Sequence, residues 1–153
     1  LELLASVFRD RLLDRLRSEA GVSYSPNVAS SWPQGLPGGG RIAALGLVPP
    51  DQTGYFFTLA RGIAADLVAK PVTEDELRRS AGPLLQQLGR ISSGNMFWMI
   101  LSAGGTGDPA RLAAIPGIAD DIAKTTPAEL QALAAKYLQP SRDWSMVVLP
   151  EKK

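Results

Sequence analysis

A guanidinium and a phenol stand seven residues apart in the run Leu16-Arg17-Ser18-Glu19-Ala20-Gly21-Val22-Ser23-Tyr24-Ser25-Pro26. Arg17 falls in the last turn of a helical pattern, Gly21 ends that pattern, and Tyr24 lies on the strand-like stretch that follows. One helix-to-strand corner therefore carries two hydrogen-bond donors on rigid elements. Such a corner can place two donors near one site: an Arg can grip a carbonyl or carboxylate, and a Tyr hydroxyl can donate to an oxygen that gains charge. The same two residues also have a structural reading: a helix-end Arg complements the helix dipole, and a strand Tyr packs its ring. The chain contains no His and no Cys, so it lacks the usual ligands of a catalytic zinc.

Other chemical groupings read more plainly. Gly38 to Gly40, and Gly104, Gly105 and Gly107, resemble phosphate-cradling loops, but no strand–GxxxxGK–helix context surrounds them and they read as loops. Glu74, Asp75 and Glu76 form the charged first turn of a helix rather than a metal cluster. Ser23, Ser25, Asn27, Ser30 and Ser31 make a polar strand face, solvated or open to an added peptide strand. Trp98 reads as core. Arg9, Arg11, Arg15 and Arg17 alternate with Asp10 and Asp14, the pattern of a solvated helix face with i,i+3 and i,i+4 pairs.

The elements that must position Arg17 and Tyr24 follow from periodicity. Leu1, Leu4, Phe8, Leu12, Leu16 and Ala20 mark one face of a helix over 1–20. The spacing then changes to two: Val22, Tyr24, Val28 and Trp32 alternate with Ser23, Ser25, Asn27, Ala29 and Ser31, a half-buried strand with Pro26 as an edge or bulge residue. After the Gly/Pro-rich stretch 33–40, Arg41 to Val48 is apolar on both faces and reads as a second, more central strand, paired to the first in a long-loop hairpin. Asp51 is the expected N-cap of a helix to about Ala69, with Tyr55, Phe56, Leu59, Ile63 and Leu67 inward. Thr73 to Glu76 is a capping box opening a helix lined by Leu77, Leu84, Leu85, Leu88 and Ile91, kinked at Gly82-Pro83. Met96 to Leu101 is expected as a short buried helix. Asp108-Pro109 starts a helix that Pro116-Gly117 breaks. Thr126-Pro127-Ala128-Glu129 combines a capping box with Pro at N1, and Leu130, Leu133, Ala134, Tyr137 and Leu138 face inward until Pro140. Trp144 to Leu149 reads as a final buried strand. The expected class is α+β, a single domain over 1–153 with a small mixed or antiparallel sheet covered by helices on one face.

Composition sets the outer bounds. With 153 residues, 45% apolar and 20% charged, the chain can build one ordinary core. A net charge of +1 offers no strongly basic surface for nucleic acid. No apolar run approaches the roughly 20 residues that span a bilayer. Without cysteine there are no disulfides or thiolate metal sites. The abundance of Ala, Leu, Arg, Gly and Pro fits a bacterial source. Leu1 begins inside a helical pattern, with neither an initiator Met nor a signal-like start, so the reading expects a piece of a longer protein.

The order of these motifs resembles the carboxy-terminal, non-zinc-binding homology domain of the pitrilysin/insulinase (inverted-zincin) metallopeptidases. Leu16 to Ser25 is similar to that family's Arg…Gly-x-x-Tyr or Arg…Gly-Tyr corner, Val72 to Leu77 to its linker and helix start, and Asn95-Met96-Phe97-Trp98 to its Asn-x-x-Trp helix. Thr126 to Leu130 and Trp144 to Pro150 resemble its closing helix and strand. The family domain has a further strand or two before the first helix; these are missing here, so truncation at the amino terminus is expected.

The resemblance implies a function. Family members close two homologous halves on a peptide chamber. One half carries H-x-x-E-H, whose two His and a distant Glu hold zinc, with the motif Glu as general base. The other half holds no metal and supplies an Arg/Tyr pair for substrate, which Arg17 and Tyr24 match. The implied role is the substrate-binding, non-catalytic half of a zinc endopeptidase. No cofactor is expected in this chain, zinc is expected in a partner half joined in cis or in trans, and the fragment alone is expected to be inactive. The bacterial periplasm is the setting implied. The alternative is a catalytically silent structural or interaction domain of the same fold.

Overall fold

The structure, a computed structural model, describes residues 1–20, 26–31, 40–103 and 109–149. Its elements follow the expected order: helix α1 (Glu2–Ala20), strands β1 (Asn27–Ser31) and β2 (Arg41–Leu45), then α2 (Thr53–Ala69), α3 (Glu74–Ile91), α4 (Asn95–Ser102), α5 (Pro109–Ala114), α6 (Ile118–Lys124) and α7 (Pro127–Tyr137). The class is α+β.

β1 and β2 pair antiparallel, with Asn27 opposite Leu45 and Ser31 opposite Arg41, the hairpin expected from the period-two pattern. Val28 is buried while Asn27, Ala29 and Ser31 are exposed, so the alternation holds over the described part of the strand. Pro26 immediately precedes β1, and residues 22–25, which the sequence pattern puts on the same strand, lie outside the described residues. Within the described residues the sheet has these two strands, and β2 is therefore an edge. Its inner residues Ile42 and Ala44 pack on the core, whereas Leu45 and Leu47 face outward and are exposed.

The core is built around α1, which contacts β1, α2, α3 and α7. Leu4, Val7, Leu12 and Leu16 are fully buried with Ile63 and Leu67 of α2 and Leu130 of α7, each contributing about 1.5–3 kcal/mol of hydrophobic stabilisation. The single apolar face read from the sequence is an underestimate. Leu3, Ala5, Ser6 and Val7 are buried too, because neighbours surround the amino-terminal half of α1. Gln131 of α7 donates from Nε2 to the Val68 carbonyl of α2 at 3.0 Å, tying the two helices together.

Local signals set the helix ends. Thr126 Oγ1 accepts from the Glu129 N–H at 3.3 Å, and the Glu129 carboxylate accepts from the Thr126 N–H at 2.8 Å, a complete capping box. Thr73 Oγ1 accepts from the Glu76 N–H at 3.1 Å, which forms the hydroxyl half of the other expected box. Asp51 is not an N-cap: it lies within a short 3-10 turn, Pro50–Gln52, that leads into α2. α3 runs through Pro83 to Ile91. Pro116 and Gly117 divide α5 from α6 as expected, through the 3-10 turn Ile115–Gly117.

Two apolar stretches also depart from expectation. α4 forms, but no residue of it is buried. Trp144 to Leu149 is neither strand nor buried; every residue of it is exposed. Apolar composition alone does not distinguish a covered stretch from an uncovered one.

A close approach joins sheet to helix just past β2. A Cβ built on Gly46 would lie 2.5 Å from Cε2 of Phe56, whose ring is itself buried. Gly46→Val is expected to destabilise the fold by about 1–3 kcal/mol through overpacking. Gly54→Ala, where no atom lies within 4 Å of the new methyl, serves as the control in urea titrations and should leave stability nearly unchanged.

Candidate functional site

The carboxy-terminal half of α1 carries the candidate site, and its arginines divide by partner. Arg11 donates from Nε and Nη2 to the two carboxylate oxygens of Glu76 on α3, at 2.6 and 3.0 Å. Arg15 donates from Nη2 to Asp66 on α2 at 2.6 Å. Arg9 bonds Ser6 at 3.0 Å within the helix and lies 3.7 Å from Asp10, and Asp10 in turn accepts from the Ser80 hydroxyl of α3 at 2.7 Å. The expected solvated face is thus corrected. These charges reach across to other helices and fix α1 between α2 and α3.

Arg17 differs. It occupies the last turn of α1, is exposed, and forms no hydrogen bond or ion pair with any described residue. A cation there complements the partial negative charge of the helix terminus, and its planar fork of donors is left available for a carboxylate or carbonyl. Tyr24, its expected companion, lies outside the described residues, as do Ser23, Ser25 and Trp32. The structure therefore positions one member of the Arg/Tyr pair.

The polar face of β1 is partly occupied. Ser30 donates to the Glu2 carboxylate at 2.6 Å, and Ser31 accepts from Arg41 Nε at 3.0 Å. Of the acidic residues at the start of α3, Glu76 is taken by Arg11, while Asp75 faces Arg78 and Arg79 at 3.3 and 3.2 Å. Among the described residues no group of three or more acidic side chains gathers as a metal site would need. An open depression of about 540 Å³ between α6 and α7 includes Asp121, Lys124, Glu129 and Lys136 in its walls. Lys124 already pairs with Asp120 and Glu129 with Thr126, so no convergent set of free groups faces it.

The Arg11–Glu76 pair sets a pH dependence. The hydrogen bond from Arg11, foremost, holds the Glu76 carboxyl below its ordinary value of 4.5; burial opposes this, and the charge of Arg11, the Thr73 N–H and the charge of Arg79 add to it. The same bond raises Arg11. A carboxyl lowered in the folded state stabilises the fold above its ordinary value, and this contribution is lost as pH falls through the folded value. Glu76→Gln is expected to cost about 1–3 kcal/mol at neutral pH. The gap between variant and parent should narrow as urea titrations move below pH 4.5, and a gap that stays constant with pH contradicts the assignment.

What the sequence reading missed is the extent of uncovered apolar surface. Met96, Trp98, Met99 and Ile100 on α4 are exposed. Trp98 is not a core residue: its Nε1 donates to the Ser92 carbonyl at 2.8 Å, and its ring meets Phe97 edge-on. Among the described residues, no helix is long and apolar enough to cross a membrane.

No family model, no curated protein and no solved structure matches this chain.

Proposed function

We propose that this chain is the substrate-binding, non-catalytic half of a zinc metalloendopeptidase, with the fold of the metalloprocessing-peptidase half-domains, completing the active site of a homologous half that carries H-x-x-E-H. The observation that carries the reading is Arg17: three of the four arginines of α1 are engaged with neighbouring side chains, and the fourth, at the helix terminus, is exposed and has no partner among the described residues. The motif order from Arg17 and Tyr24 through Asn95-x-x-Trp98 to Thr126–Leu130 adds support. Zinc, its ligands and the general base belong to the other half. In this reading Arg17 holds a carbonyl or the terminal carboxylate of the peptide, and Tyr24 donates to the oxygen that becomes negative as water attacks.

The test is complementation. Alone, the chain is expected neither to bind stoichiometric zinc nor to cut peptides. Added to an H-x-x-E-H half, in cis or in trans, it should restore cleavage, and Tyr24→Phe should lower turnover about tenfold or more, the scale of losing one transition-state donor. A mixture as inactive as the zinc half alone would refute the proposal.

A second reading, a catalytically silent interaction domain of the same fold, draws on the exposed apolar face of α4. It predicts that Arg17 and Tyr24 can both be replaced without changing any proteolysis by the assembly.

A further inference from the structure

We draw no further inference here: the strongest candidate, the exposed apolar face of α4 formed by Met96, Trp98, Met99 and Ile100, carries nothing because nothing in the structure shows what covers it.

Discussion

Arg17→Ala should lower kcat/KM for peptide cleavage about tenfold or more in the proposed assembly with an H-x-x-E-H half, with little change in the stability of the fold. The two expectations separate because Arg17 is exposed and has no partner among the described residues, so its removal strands no buried charge. Arg15→Ala is the matched control. It breaks the 2.6 Å contact with Asp66 and should reduce stability modestly, since both groups are substantially solvated, while turnover per folded molecule stays the same. Arg17→Lys should recover little, because an ammonium lacks the planar fork that grips a carboxylate. If the loss appears mainly in KM, Arg17 binds the ground state and the transition state alike; if in kcat, it acts on the developing charge. Unchanged kinetics for Arg17→Ala would remove Arg17 from the site.

The largest expected effect on stability comes from Leu12→Ala, at about 2–5 kcal/mol. Leu12 is fully buried on the helix that β1, α2, α3 and α7 all contact, so the cavity opens where several rigid elements meet and collapse is hardest. At this chain length that corresponds to a melting temperature lower by roughly 5–15 °C. Denaturant titration and calorimetry measure it directly. A loss below about 1 kcal/mol would mean that α1 is not the centre of the core.

What could be read from the sequence divides by the range of the cause. The capping box at Thr126–Glu129 and the break at Pro116-Gly117 are set within a few residues, and both stand where expected. The hairpin also forms from local alternation, although its second strand ends at Leu45 and is an edge among the described residues rather than the more central strand expected. The four arginines show the other limit. Glu76 is 65 residues from Arg11 and Asp66 is 51 from Arg15, so spacing within the helix suggested a solvated face where the charges in fact connect helices. Apolar runs misled for a related reason. Met96 to Leu101 and Trp144 to Leu149 have compositions that favour burial, but burial requires a covering surface, and periodicity cannot say whether one is present. For the candidate site, periodicity gave the helix-end place of Arg17. The helix-end position and exposure of Arg17 agree with the reading, while Tyr24 lies outside the described residues, so their joint geometry rests on the sequence.

The most direct test of the central claim is the structure of the chain assembled with an H-x-x-E-H half and bound to a peptide whose scissile bond is replaced by a tetrahedral mimic. The account predicts the Arg17 guanidinium and the Tyr24 hydroxyl within hydrogen-bond distance, about 2.7–3.2 Å, of peptide oxygens beside the zinc. A peptide held by zinc-half residues alone, with Arg17 in solvent or paired to an acid elsewhere, would contradict it.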